Sequence, residues 1–343
     1  MGAAGALDVL IVSLGSTTGL RTADEALGAS IARAGATVQI ASATAPRAVR
    51  TMALTDLLWA RAARLATEQR LNGPTRPRAI IYSSTTAALL WPRPGAIRFD
   101  APAAGNRPGR HGLWQRPLER RRLAEAPLLL PLSEGGLAEV PPAARAGDRV
   151  LVLGLAAEPS GPPAPERDIA AITYAPNPAK KGLDRVLAAW RELRRDSAQP
   201  GELLVAGVAP EVLRDAGIDL GSEAGVRCMG RLGQAEYRAL LRRSRVFVCA
   251  PRREDYGAAQ LEALADGCLL VTTPAPGPYA ALPIARELDP RLVSEDLVAA
   301  LRAALQAPAE GYADRAARLL APFSREAVDR RVAQELLPRL LGS

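Results

Sequence analysis

The chain has 343 residues, 48% of them hydrophobic and only 4% aromatic, which suits two domains with cores built from Ala, Leu and Val. A formal net charge of +8 comes without any basic run interleaved with aromatics, excluding a nucleic-acid surface; the excess reads first as an Arg-rich composition and second as a preference for anionic lipid or phosphorylated ligands. One histidine, His111, and three widely spaced cysteines, Cys228, Cys249 and Cys268, exclude a histidine-rich metal site and a disulfide framework.

A continuous apolar run over 7–14 predicts a strand buried on both faces, not a signal peptide, since residues 1–14 carry no basic segment. The turn Gly15, Ser16, Thr17, Thr18, Gly19 leads to a helix over 22–34 closed by Gly35, then a strand over 38–41. That unit opens a Rossmann-like domain. Glycines in the segment from Gly15 to Arg21 let the backbone approach a ligand, and Arg21 is a candidate phosphate partner. A plain tight turn accounts for the segment equally well, and the three spaced glycines of a dinucleotide site are missing. Residues 54–71 predict a helix, 79–82 and 96–99 strands, 101–112 a long loop, 114–124 a helix, 128–132 a strand and 149–155 a last strand.

The Pro-rich stretch 158–166 is the clearest linker. A second alternation follows: strands over 169–174, 202–206, 226–229, 246–249 and 269–272, with helices over 182–194, 235–242 and 257–265. The tail over 324–341 is helical, interrupted at Pro338. Short strands alternating with helices predict α/β architecture with doubly wound parallel sheets. The expected domains are 1–160, on the acceptor side, and 168–322, on the donor side, with a tail over 323–343 packing back toward the first. No apolar stretch reaches the ~18 residues of a membrane span.

Chemistry concentrates in 251–267. Glu254 follows the apolar run 246–250, so it is expected in a loop at the carboxyl end of a parallel strand, where open α/β sheets bind ligands. The helix over 257–265 would aim its free N–H groups at the same crevice, favouring an anion such as a diphosphate. Glu262 lies on that helix, with seven residues between it and its motif partner Glu254. Taken alone, the pair reads more readily as a helix-start charge and an exposed helix residue; the surrounding motifs shift the balance.

From about residue 172 to 290 the sequence resembles the retaining glycosyltransferases of GT-B fold called family 4. The resemblance rests on an ordered series: Tyr174 to Asp184 with Lys180, Lys181 and Gly182; the strand-glycine ending at Gly207; the strand Val226 to Gly230 followed by Arg231 and Leu232; and Glu254, Asp255, Tyr256, Gly257 running to Glu262 and Gly267. It implies two Rossmann-like domains facing a central cleft. It also implies transfer of a sugar from a nucleoside-diphosphate sugar to an acceptor hydroxyl, with retention of configuration and without metal or other cofactor.

Carried over, Lys181 would pair with the donor diphosphate and Lys180 would be a second partner. Glu254 would contact hydroxyls of the transferred sugar, and the backbone of Tyr256 and Gly257 would close on sugar and phosphate. Glu262 would accept from the ribose, and Gly230 and Leu232 would lie along the base. Gly19 and Arg21 belong to the loop that the family places beneath the donor phosphates. Asp100 stands near the point where many members carry a His or Asp facing the reacting carbon; a helix cap or loop charge is its other reading. Lys181, Glu254 and Asp100 are therefore the catalytic candidates, and His111 reads as an exposed loop residue. Pro176 stands where the family commonly has an Arg, removing one phosphate partner, and Asp255-Tyr256 replace a customary Phe. The acceptor would be a saccharide, a lipid-linked sugar or a small molecule. A cytoplasmic enzyme is expected, with peripheral contact at the inner membrane face. Another GT-B enzyme, such as a nucleotide-sugar epimerase or a phosphorylase, and a two-lobed ligand-binding protein without activity stay open as alternatives.

Overall fold

A computed structural model describes the chain apart from residues 1–6, 48, 108, 146, 163, 197–200, 221–223 and 343, and apart from the side chains at 18 and 196. The start of the apolar segment at 1–6 and one linker residue, Pro163, thus lie outside the described residues. The chain divides into two compact units, Met1–Leu155 with Arg325–Ser343, and Ala156–Ser324. No described helix is long and apolar enough to cross a membrane.

The first unit holds five parallel strands: β1 (Leu7–Ser13), β2 (Val38–Ser42), β3 (Pro77–Tyr82), β4 (Ala96–Phe99) and β5 (Leu129–Pro131), in the order β2-β1-β3-β4-β5. The unbroken apolar run of β1 serves both faces, because successive side chains of a strand point opposite ways. Leu10 and Val12 enter one core with Tyr82, Ile97 and Leu129. Val9 and Ile11 enter the other with Ile81, Leu130, Val332 and Leu336. The tail is thereby part of this unit. Asp329 fastens it, accepting from Ser30 Oγ at 2.5 Å and from Arg33 Nε at 2.7 Å. The tail widens into a π-helical turn over Val332–Leu336 just ahead of Pro338, where the proline ring denies the α-helical spacing. Beside β5, Leu129 N donates to Arg149 O at 2.7 Å and Leu153 N to Pro131 O at 2.9 Å, so 149–153 runs as an extended neighbour of the edge.

The first turn differs from expectation. Thr17 Oγ1 accepts from Leu20 N at 3.2 Å and caps a helix over Thr18–Arg33. A threonine acceptor at that spacing satisfies an otherwise orphaned N–H, so the helix begins four residues early. Gly19 and Arg21 consequently stand in its first turn, not in the loop. Arg21 Nη1 donates to Gly15 O at 2.7 Å and staples the turn from the helix side. Beneath it, Asp24 and Arg98 form a buried ion pair at 3.2 Å; burial pushes the Asp24 carboxyl up, against Arg98.

The second unit holds β6 (Ile169–Tyr174), β7 (Leu203–Ala206), β8 (Val226–Gly230), β9 (Ser244–Cys249) and β10 (Leu269–Thr272), all parallel, in the order β10-β9-β6-β7-β8. The chain starts in the middle, moves outward through β7 and β8, then returns to place β9 against the other side of β6. Strand order therefore reverses between β6 and β9, which opens a crevice at their carboxyl ends. After β10 come the helices Ala281–Leu288, Leu297–Gln306 and Tyr312–Leu319, in a stretch where Pro276, Pro278, Pro283 and Pro290 interrupt any longer helical period.

Candidate active site

The crevice at the reversal is built from the loops after β6, β9 and β10. Beyond β6, Asn177 caps the single turn Pro178–Lys181 by accepting from Lys180 N at 2.9 Å. Gly182 closes the turn at φ +64°, and a Cβ there would sit 1.9 Å from Ala250 O. The glycine thus has two reasons: a left-handed backbone and a backbone crossing at van der Waals limit over the end of β9. Arg252 N donates to Lys180 O at 3.0 Å and joins the two loops.

Glu254 is held from a third side. Its N–H donates to Pro276 O at 3.0 Å, and Gly277, at φ +111°, packs so closely that a Cβ would lie 2.3 Å from Glu254 O. With its backbone fixed, Glu254 is buried at 5% exposure. Its Oε2 accepts from Lys181 Nζ at 2.6 Å and from Gln260 Nε2 at 3.0 Å. The two groups singled out as phosphate partner and sugar partner therefore meet directly. Alongside, Lys180 Nζ reaches Asp255 Oδ2 at 2.8 Å, and Arg253 Nε reaches Oδ1 at 2.8 Å. Burial pushes the Asp255 carboxyl up, but these two cations more than offset it and leave it below the ordinary aspartate value.

Gly257, at φ +89°, caps the helix Ala258–Ala265, so the first free N–H groups of this helix follow directly on the acidic loop. Tyr256 and Gly257 are both buried, and their carbonyls accept from Ala280 N at 2.9 Å and from Leu261 N at 3.1 Å. Glu262 stands on that helix 3.7 Å from Arg238, whose Nε is committed to Asp266 at 2.5 Å. Burial pushes the Glu262 carboxyl up, with Arg238 opposing. The Tyr174 and Tyr237 rings pack with centroids 4.9 Å apart. Gly207 lies against Tyr174, where a Cβ would meet the ring at 2.5 Å. Gly230 ends β8 at φ +70° with open space in front of it, and half-buried Leu232 follows.

Lys180, Lys181, Glu254, Tyr256, Gly257 and Glu262 thus gather along one edge of the second sheet, with Gly230 and Leu232 at the end of its outer strand. Gly19, Arg21 and Asp100 belong to the first unit. There Asp100 Oδ1 accepts from Ala101 N at 2.7 Å, as a carboxylate ending a strand does when it turns back on its own loop. His111 is exposed in a 3-10 turn over Gly109–Gly112. Among the described residues, no group of three or more His, Cys, Asp or Glu side chains is placed to hold a metal ion. Sequence reasoning quoted Gly182 only as part of the motif after β6, and did not single out Gln260 or Gly277. The signal for Gln260 is a lone amide among Ala and Leu on a helix face that must be buried, a place where an amide requires partners.

Residues 167–309 match the family model described as Glycosyl transferases group 1. No curated protein matches the chain by sequence. Among solved structures, WaaG, a glycosyltransferase involved in lipopolysaccharide biosynthesis, is 15% identical over 98% of this chain and 100% of its own, with a TM-score of 0.71. A sucrose-phosphate synthase from Thermosynechococcus elongatus is 13% identical over 99% and 100%, with a TM-score of 0.73. An E. coli trehalose-6-phosphate protein bound with UDP-2-fluoro glucose is 13% identical over 96% and 99%, with a TM-score of 0.67. These likenesses show the two-domain GT-B fold. Residues 167–309 thus form a region of the glycosyl transferases group 1 family within that fold.

Proposed function

We propose that the protein is a retaining, metal-independent glycosyltransferase that uses a nucleoside-diphosphate sugar as donor. The observation that carries the reading is the Lys181–Glu254 pair at the strand reversal. Leaving-group chemistry needs a cation and N–H dipoles where negative charge grows on the diphosphate; Lys181 and the start of the helix Ala258–Ala265 supply them. The sugar carbon gains positive charge as its bond to the diphosphate breaks, and Glu254 places negative charge and hydrogen-bond acceptors beside its hydroxyls. The acceptor oxygen attacks from the face the diphosphate leaves, and its proton passes to the departing phosphate oxygen. Lys180 and Lys181 together compensate for Pro176. Glu262 accepts from the ribose, and the base lies along Gly230 and Leu232. A uridine diphosphate sugar is the first donor to test, since the E. coli structure with the same fold holds one such analogue.

The test is a panel of UDP-, GDP- and ADP-sugars, scored by thermal stabilisation and by release of nucleoside diphosphate. One donor class should stabilise the protein and be consumed only with an acceptor present, EDTA should leave the rate unchanged, and NMR of the product should show the donor's anomeric configuration. Conversion of donor without acceptor would instead identify an epimerase, and stabilisation by a free sugar alone would identify a binding protein.

The acceptor side also has a physical lead, in the first unit. Val49, Met52, Leu54 and Leu113 are four exposed large apolar residues, and exposed Arg47, Arg50 and Arg110 accompany them. The only acidic residues in 44–56 and 101–121 are Asp56 and Glu119, both buried. Arg107 joins the two segments through Asp56, at 2.9 Å and 3.2 Å. Apolar tips within an acid-free basic rim suit an anionic lipid surface, and a lipid-linked acceptor with it. At about 1 kcal/mol per arginine near such a surface, replacing Arg47, Arg50 and Arg110 by Gln should weaken binding about a hundredfold. The measurement is co-sedimentation with phosphatidylcholine vesicles with and without phosphatidylglycerol. Equal sedimentation with both lipids, or no effect of the triple change, would rule this surface out.

A further inference from the structure

We infer that Gln260 is a positioning residue that holds the Glu254 carboxylate in place once the donor diphosphate has taken Lys181 from it. The inference rests on the proposed function and concerns a residue that function does not otherwise use. Glu254 Oε2 accepts from Lys181 Nζ at 2.6 Å and Gln260 Nε2 at 3.0 Å. A diphosphate outcompetes one carboxylate for a lysine, because it offers more charge and more acceptor oxygens. Lys181 is at the surface end of the pair, with 20% of its side chain exposed, whereas the Glu254 side chain is 6% exposed. When the lysine leaves, a buried carboxylate that keeps a fixed N–H donor stays in register, and one that loses every donor rotates or takes up a proton.

Gln260 is built to stay. It is 2% exposed, on the first turn and a half of the helix Ala258–Ala265. Its Nε2 also lies 3.6 Å from Cys249 Sγ, which in turn is 3.3 Å from Thr272 Oγ1; Thr272 Oγ1 and Tyr279 OH are 2.8 Å apart. Burial pushes the Cys249 thiol up, so this sulfur is a neutral, soft neighbour that does not draw the amide away from Glu254. The Tyr279 ring lies where a Cβ on Gly257 would be, at 2.8 Å, which fixes the start of the helix. A strut of buried polar side chains thus runs from β9 and β10 up to the acidic loop. Among the described residues, Gln260 Oε1 is buried without a hydrogen-bond partner. A cost of that kind at a buried amide is tolerated when the other end of the group has work to do.

The test replaces Gln260 by Met, which keeps length and packing and removes the N–H. Donor KM and the thermal stabilisation by uridine diphosphate, which in the proposed function meets Lys181 and carries no sugar for Glu254 to address, should stay within about threefold of the parent. The kcat for transfer should fall about ten- to hundredfold, the usual cost of misplacing a reacting group through its support. Gln260→Asn, with its amide drawn back by one methylene, should give an intermediate kcat. A Gln260→Met enzyme with parental kcat overturns the inference while leaving the proposed function intact. A parallel loss of kcat, KM and nucleotide stabilisation also overturns it, as the mark of a general packing defect. If the parent protein is stabilised by no nucleoside diphosphate, both readings fall together.

Discussion

Lys181→Met is expected to lower kcat/KM for the donor by about three orders of magnitude, near the upper end of what one preorganised charge contributes at a leaving group. The loss has two parts. The ground-state diphosphate loses a cation, which raises KM. The transition state, where the bridging oxygen gains charge, loses more, which lowers kcat. Lys181 also neutralises Glu254 in the ligand-free protein at 2.6 Å. Removing one member of a fully buried pair costs about 3–5 kcal/mol. Here the lysine is partly exposed and Gln260 remains as a donor to the same oxygen, so the stability cost falls below that range and the variant should stay folded. Steady-state kinetics with thermal unfolding separates the two effects. Lys181→Arg keeps the charge but replaces a point ammonium by a planar fork, and should recover part of KM before it recovers kcat. If Lys181→Met transfers sugar at a near-parental rate over a range of donor concentrations, the assignment of the diphosphate to this side of the crevice is wrong.

The architecture was legible because its signals are local and repeated. Runs such as 7–14 and 169–174 are apolar without alternation, and only a strand covered on both faces uses such a run. The observed strands β4, β6 and β10 keep the boundaries expected from sequence. Less local features were not legible. Thr17 can cap a helix only if the backbone ahead of it is extended, and the run of Gly, Ser and Thr before Gly19 permits several ways to place that start. The helices after β10 are short and flanked by prolines, so their periods never extend far enough to be read. In the site, the spacing from Glu254 to Glu262 and the order of the flanking motifs pointed to the crevice. The Lys181–Glu254 contact depends on β6 and β9 becoming neighbours although 69 residues separate their ends, and no periodicity encodes that pairing. Gln260 shows the same limit: an amide at a buried helical position signals that partners exist, but not which.

Gly182→Ala should damage transfer about as severely as loss of Lys181, although it removes no functional group. The residue sits at φ +64°, and its new Cβ would fall 1.9 Å from Ala250 O and 2.8 Å from Ala250 C. The left-handed backbone alone costs an alanine about 1 kcal/mol. The collision is with backbone, not with a yielding side-chain end, so either the Lys180–Lys181 turn lifts or the end of β9 moves. Both disturb the Arg252 N to Lys180 O bond at 3.0 Å, and with it the placement of Lys181 over Glu254. Overpacking of this kind adds about 1–3 kcal/mol, and the sum lowers the melting temperature by roughly 10 °C in a unit of this size. Gly311→Ala is the matching control. It has the same φ of +64° in the same unit, at the start of the helix Tyr312–Leu319, with nothing within 4 Å of the added carbon. It should cost only the backbone share, with kcat/KM unchanged. A difference between the two variants in both melting temperature and kcat/KM isolates the crossing over β9 as the reason for glycine after Lys181. Equal behaviour would mean that the turn tolerates the displacement and that the lysine is positioned by something other than that crossing.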